Sequence, residues 1–295
     1  MSAFERITTR RLAELTKTTE NRLRALAKHP AAHYRRQPHC GRNGKRRILM
    51  IPSPELRRVQ RCLLRDLLDR LKPHPSAACV RDRGTVWMMH RHKRHPFLLS
   101  LDIQDFFPSV SRSRVSEGLA RLGLGDAKLL SSLLTVNGEL PQGAPTSVAI
   151  GDIALFPLDN RIGGLARAEG LVYSRYIDDL IISGGSRIRD RFQKVIVRFA
   201  EEEGWRLNEK GGLVGPGERR LVLGAIVNVE PKVSQRYFSD VRFYLRMIER
   251  GHAQPTSKEM NRLRSRVAWI GHVNPTKGQA LEPHLARAIA ATETD

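Results

Sequence analysis

Cysteine is scarce in this chain: Cys40, Cys62 and Cys79 are scattered, odd in number and without Cys-x-x-Cys spacing. That argues against a disulfide framework and a cysteine zinc site, and points to reduced thiols in the cytoplasm. Long apolar runs are missing too. No stretch approaches the roughly 20 residues of a membrane-spanning helix, and the amino terminus (MSAFERITTRRLAEL) lacks the apolar segment of a secretory signal. No basic amphipathic helix with a Trp/Phe/Leu face stands out, so no membrane partner is expected. Acidic residues are in deficit: 30 Asp plus Glu against 51 Lys plus Arg leave a formal charge of +21 over 295 residues. A chain so far from neutrality repels itself unless a polyanion neutralises it, and nucleic acid is the first candidate. Low-complexity linkers and internal repeats are also lacking, so the length allows one large domain or two packed subdomains.

Against this background one segment stands out. Residues 171–183 (LVYSRYIDDLIIS) are two apolar runs bent around the adjacent carboxylates Asp178 and Asp179. Like charges side by side at a turn repel and shift each other's pKa values, and a divalent cation removes the conflict. An ordinary hairpin turn, in which Asp is common, would carry similar letters. The basic residues gather in two runs, Arg35, Arg36, Arg42, Lys45, Arg46 and Arg47, then Arg81, Arg83, His90, Arg91, His92, Lys93, Arg94 and His95. Both flank apolar segments, which favours a nucleic-acid face over a merely solvated one. His90, His92 and His95 lack acidic or cysteine partners at ligand spacing, so they read as a phosphate-contacting loop rather than a metal site.

Periodicity places these features. Residues 10–27 read as a basic helix, 47–51 as a strand closed by Pro52, and 54–71 as a helix with Leu56, Val59, Leu63, Leu67 and Leu71 on one face. In FLLSLDI (97–103), Phe97, Leu99, Leu101 and Ile103 share one face of a strand, and Leu98, Ser100 and Asp102 share the other. Two helices broken at Gly123 and Gly125 are expected over 111–135, and a helix interrupted by Pro157 over 148–168. The hairpin at 171–183 follows, then a helix at about 187–203, a strand at 221–228 and three helical segments. Strands interleaved with helices without βαβ alternation predict an α+β domain with a helical tail. Asp102 at a strand end and Asp178–Asp179 at a hairpin turn would converge if strand and hairpin are sheet neighbours. Three carboxylates can hold the two divalent ions, about 3.5–4 Å apart, that phosphoryl transfer from a nucleotide uses.

Seven blocks, in order, carry a resemblance to bacterial reverse transcriptases of the retron type. Arg47 with Pro52 resembles the basic fingers strand, and 101–110 (LDIQDFFPSV) the first aspartate block. Residues 140–147 (LPQGAPTS) resemble the template and nucleotide loop, and 173–183 the catalytic hairpin. The later blocks are 207–210 (LNEK), the lysine motif; 223–228 (LGAIVN), the primer strand; and 268–275 (AWIGHVNP), a thumb segment. The resemblance implies a right-hand polymerase fold, with fingers and palm over 1–220 and a primer-grip strand and short helical thumb over 221–295.

It also implies roles. Asp102, Asp178 and Asp179, with the Ile103 backbone, would bind two Mg2+ ions. Phe107 would lie against the sugar and exclude a 2′-hydroxyl, although a core Phe has the same letters. Gln142 and Gly143 would let the backbone approach a base pair or nucleotide. Arg47 would grip the triphosphate bidentately, with Lys45 and Arg46 as neighbours. Lys210, at a helix-to-strand junction, would protonate the leaving pyrophosphate, while spacing alone makes it a solvated lysine. Tyr176, Gly224 and Asn228 would contact primer and template. Asp105 caps or braces the loop before the next helix and stays outside the metal set.

Departures from the retron pattern are specific. Ile177 stands where alanine is usual. Val148-Ala149-Ile150-Gly151-Asp152 lacks the usual proline and Ser-Asn pair. The Asn-Ala-x-x-His element is absent from Val86-Trp87-Met88-Met89-His90, and Val-Thr-Gly appears as Val222-Leu223-Gly224. The expected activity is RNA-directed DNA synthesis on a structured noncoding RNA template and primer. It would use deoxynucleotides, pass through an RNA–DNA hybrid to a short DNA product, and serve antiphage defence with an effector protein encoded nearby. A defence reverse transcriptase without a retron RNA is the near alternative, and a catalytically idle RNA-binding scaffold of the same fold is the alternative from another class. No nuclease or maturase module is expected in these residues.

Overall fold

The computed structural model describes residues 8–40, 46–66 and 68–293. Helices α1 (Thr9–Thr16) and α2 (Glu20–Lys28) replace the single helix expected over 10–27. Lys17 turns left-handed at φ 52° and ends α1, and the Thr19 hydroxyl accepts from the Arg22 N–H to start α2. An antiparallel ribbon follows, β1 (Tyr34–Cys40) with β2 (Arg46–Pro52), in which His39 faces Arg47. Its first strand, exposed beyond Tyr34 and rich in charge, gives no alternation to read. Helix α3 (Pro54–Asp66) buries Leu56, Val59 and Leu63, but stops short of 71, with a 3-10 turn at Leu68–Arg70.

Next come β3 (Ala77–Ala78), α4 (Thr85–His92), β4 (Phe97–Ile103), α5 (Phe106–Ser109), α6 (Arg112–Arg121) and α7 (Ala127–Leu134). Helix α8 (Ser147–Ala168) is continuous through Pro157, which is only partly buried and follows the exposed Phe156. The helix continues on both sides of the proline, so the interruption expected there is not seen. Strands β5 (Val172–Tyr176) and β6 (Asp179–Gly184), helix α9 (Asp190–Glu202) and strand β7 (Leu207–Val214) complete a five-stranded sheet of order β3-β5-β6-β4-β7, antiparallel except for β3 with β5.

Strand β4 divides the interior as its alternation predicts. Leu99, Leu101 and Ile103 enter one apolar core with α1–α3 and α6–α9. Leu98 enters a second with Ile181 of β6, Met88 and Met89 of α4, and residues from 222 to 288.

The strand expected over 221–228 is instead a tight hairpin, β8 (Leu221–Val222) and β9 (Ala225–Ile226). It turns at Leu223 and Gly224, with φ 49° and 84°. Helices α10 (Gln235–Glu249), α11 (Ser257–Val273) and α12 (Pro275–Glu293) follow. Helix α11 opens on a Thr256/Glu259 capping box. It approaches α12 so closely that a Cβ on Gly278 would lie 2.3 Å from the Gly271 Cα, so position 278 needs glycine. The architecture is α+β, as predicted, and no described helix is long and apolar enough to cross a membrane.

Candidate active site

Strand β4 and the β5–β6 hairpin are neighbours, with Asp102 directly opposite Asp179. Asp178 stands in the two-residue turn between Tyr176 and Asp179, and one carboxylate oxygen from each of the three aspartates lies within 4.8 Å of the others. All three are partly exposed, and they are the one such grouping of possible ligands among the described residues. Three converging hard oxygen donors suit Mg2+ rather than a soft metal.

The turn has an unusual backbone. Ile177 sits at φ 58°, a region disfavoured for a β-branched residue, while its side chain packs against the first core. Both turn carbonyls are held: Arg175 Nη1 donates to Ile177 O at 2.8 Å, and the Ile103 N–H to Asp178 O at 3.0 Å. Arg175 is fully buried. Its Nε and Nη2 reach the Asp159 carboxylate at 2.8–3.1 Å, and Nη1 lies 2.9 Å from Asp152 Oδ1. The latter contact is an ion pair too oblique to count as a hydrogen bond. The Tyr173 hydroxyl also donates to Asp159, at 2.6 Å. Burial would lower the Arg175 pKa, but Asp159 and Asp152 outweigh it and hold the guanidinium above its ordinary value. Burial pushes the Asp152 carboxyl up against the opposing pull of Arg175, and burial followed by the Asp159 charge raises Tyr173.

Sequence reasoning missed this network. Its available signal is an arginine inside an apolar strand, together with two aspartates seven residues apart on one helix face.

The remaining candidates fall in several places. Ile103 is buried, so only its backbone can serve the site. Phe107 is half-buried and tilted against Phe106, ring centroids 5.2 Å apart. Phe106 is the core member, and a Cβ on Gly151 would lie 2.8 Å from its ring. Asp105 occupies the cap position of α5 at φ 45°, but its side chain makes no capping bond, so the capping expected of it is not seen. The Gln142 carbonyl accepts the Met50 N–H at 2.8 Å, and Gly143, at φ 124°, comes so close to β2 that a Cβ would meet Met50 O at 3.2 Å. That loop is thereby clamped to the strand bearing the exposed Arg46 and Arg47. Arg42 and Lys45 lie outside the described residues.

Lys210 belongs to β7 rather than to a helix-to-strand junction, and its side chain lies outside the described residues. The β4–β7 register shifts there, from Glu209 opposite Leu101 to Gly212 opposite Ser100. Tyr176 is half-buried, and its hydroxyl is pushed up to about 12 by burial, then by Cys79 and Asp179. Gly224 stands at the β8–β9 turn. Asn228 Oδ1 accepts the Arg220 N–H at 2.9 Å, and its Nδ2 donates to the Glu218 carbonyl at 2.7 Å, closing a loop.

The histidine group is not the phosphate-contacting loop expected. His92 is fully buried, and His92 and His95 both bond Ser183 Oγ, at 2.6 and 2.7 Å. Burial holds His92 down at about 3, so it stays neutral. His90 alone of the three is exposed.

A mixed sheet presenting three carboxylates at a strand end and a hairpin turn, with helices packed on both faces, defines a right-hand polymerase. The chain belongs to the reverse transcriptase (RNA-dependent DNA polymerase) family, which it matches over residues 14–210. It is similar to three retron reverse transcriptases: Mx162 of Myxococcus xanthus (29% identity, 93% of this chain and 65% of the relative), Mx65 of the same organism (32%, 81% and 61%) and Ec86 of Escherichia coli (29%, 84% and 78%). The chain thus spans less than two thirds of the length of the two Myxococcus relatives.

Proposed function

We propose that this protein is an RNA-directed DNA polymerase of a retron, acting in the bacterial cytoplasm. The observation that carries the reading is the convergence of Asp102, Asp178 and Asp179 within 4.8 Å in a chain of this family. These aspartates, with the Ile103 carbonyl, would hold two Mg2+ ions, which when bound lower the pKa of a primer hydroxyl and neutralise charge on the departing pyrophosphate. Arg47 grips the triphosphate, flanked by Arg46. The Gln142–Gly143 loop receives the nucleotide against the template, Phe107 closes the sugar site to a 2′-hydroxyl, and Lys210 protonates the pyrophosphate. Tyr176, Gly224 and Asn228 line the primer end, Asn228 by shaping its loop.

In this assignment residues 1–220 form fingers and palm and 221–295 the primer grip and thumb. The template is a structured noncoding RNA that also primes, the product a short DNA held first as an RNA–DNA hybrid, and an effector encoded nearby completes an antiphage system. The relatives bear retron names, which favours the retron reading over a defence enzyme without such an RNA. An idle RNA-binding scaffold would have no use for three carboxylates facing an anionic ligand, since each repels phosphate.

The test supplies purified protein and its co-purified RNA with Mg2+ and labelled deoxynucleotides. Incorporation is expected, and Asp178→Asn should lower it by roughly 10²–10³-fold or more. No incorporation on any RNA sinks the enzyme reading, and a linear DNA without linked RNA moves the protein to the other defence class.

A further inference from the structure

We propose that Arg175 is a positioning residue. Pinned by Asp159 and Asp152, it fixes the backbone of the turn that carries Asp178, and so sets the geometry in which the aspartates take up a divalent cation. The catalytic part of this proposal rests on the polymerase reading; the metal-binding part does not.

A fully buried guanidinium is expensive unless every face is used. Here one edge is taken by the bidentate Asp159 contact, and Nη1 lies between Asp152 and the Ile177 carbonyl, at 2.9 and 2.8 Å. Nothing about filling the space behind strand β5 requires the last contact, which an apolar side chain would omit. Its consequence is local. Ile177 holds a left-handed φ of 58° that its β-branched side chain disfavours. With the bond to its carbonyl removed, Ile177 relaxes toward negative φ and the 177–178 peptide rotates. Asp178 follows, because its N–H belongs to that peptide and only its own carbonyl, bonded to the Ile103 N–H at 3.0 Å, stays tied. Asp102 and Asp179 stay behind, paired to each other across β4 and β6. The triad thus opens at one member.

Both anchors of Arg175 come from helix α8, whose first residue, Ser147, bonds the Pro141 carbonyl through Oγ at 2.6 Å. One helix therefore holds the catalytic turn and the loop containing Gln142 and Gly143 in fixed relation. An arginine is needed for this, since only its planar fork reaches Asp159 with two nitrogens while sparing a third for Ile177; a lysine ammonium cannot.

The experiment titrates full-length protein with Mn2+, counting free ion by electron paramagnetic resonance, alongside steady-state incorporation and a urea melt. Arg175→Gln should weaken Mn2+ binding at least about tenfold and lower kcat similarly, with KM for deoxynucleotide within about twofold, because the triphosphate contacts are untouched. Arg175→Lys should not rescue. Adding Ile177→Gly to Arg175→Gln should recover at least about threefold of the Mn2+ affinity, since glycine adopts the turn conformation without strain. Asp152→Asn, which keeps the Asp159 fork, supplies a milder variant should Arg175→Gln fail to fold, and it should weaken Mn2+ binding about threefold.

Unchanged Mn2+ binding and unchanged kcat per folded molecule in these variants, with only the urea midpoint lowered, overturn the proposal. Wild-type protein that binds Mn2+ yet incorporates nothing overturns the polymerase reading alone.

Discussion

The two hairpin tips of the molecule pose the same backbone problem and meet it with different means. At the β5–β6 tip Ile177 is left-handed at φ 58°, and at the β8–β9 tip Leu223 is left-handed at φ 49°. The first is held from inside, by Arg175 at the tip and by His92 and His95 on Ser183 toward the root. The second sits on the fully buried Val222 and Ala225, is closed at its rim by Asn228 between Arg220 and Glu218, and leaves nothing within 4 Å of where a Cβ on Gly224 would sit. Exposed Leu221 and Val229 flank it. Buried charge is invested where a carboxylate has to be kept in place, and open space is left where the expected ligand is a nucleic-acid strand whose position advances with synthesis. The comparison predicts that the same kind of lesion costs more at the first tip than at the second.

The largest difference is expected from the anchors. Asp159→Ala takes the forked carboxylate from a fully buried Arg175, leaving it Asp152 as carboxylate partner, and takes the acceptor from the buried Tyr173 hydroxyl, a lesion of about 3–5 kcal/mol. Asn228→Ala removes two bonds that water can largely replace, about 1 kcal/mol. Urea unfolding of the two variants checks both, and equal losses would break the comparison.

A second effect separates the roots. His92 is held neutral, its pKa lowered from 6.5 to about 3. Because the folded value lies below the unfolded one, the unfolded chain takes up the proton first as pH falls. Stability is therefore intact above pH 6.5 and declines from there toward pH 3, by about 2 kcal/mol at pH 5 from this group. His92→Gln should flatten that part of the stability profile, and a profile of unchanged slope would remove His92 from the account. Burial also lowers His95 and His74, which adds to the decline with the same sign.

What the sequence discloses follows the same division. The β4 strand is legible because its alternation is strict and its two faces enter different cores. The aspartates are legible because carboxylates inside apolar runs demand a reason, and the geometry brings them together. Asp152, Asp159 and Arg175 are hidden because single charges in a helix and a strand look like surface positions; only the fold shows that they face one another. Strand β7 (LNEKGGLV) is polar and glycine-rich, and it is made a strand by backbone pairing at the sheet edge rather than by side-chain preference. The β1–β2 ribbon hides for a related reason, since β1 is exposed along most of its length and carries no buried face. The 221–228 segment reads as one strand because leucine seldom turns left-handed. His92 reads as surface because basic neighbours surround it in the chain, yet it falls on the face of α4 that packs on the sheet.

The smallest effect probes the open tip itself. Gly224 has φ 84°, where an alanine methyl is unfavourable through its own backbone by about 1–2 kcal/mol. No further penalty follows from packing, because no heavy atom stands within 4 Å of the added carbon. Gly224→Ala should therefore lower the urea midpoint by an amount matching the backbone term alone. Its effect on incorporation should fall on KM for the template–primer rather than on kcat, since the methyl enters the space assigned to the primer strand and leaves the aspartates untouched. A stability loss of about 3–5 kcal/mol, the size expected of a buried lesion, would mean that this tip is as tightly held as the other. A fall in kcat at unchanged KM would place Gly224 in the chemistry and not in primer binding.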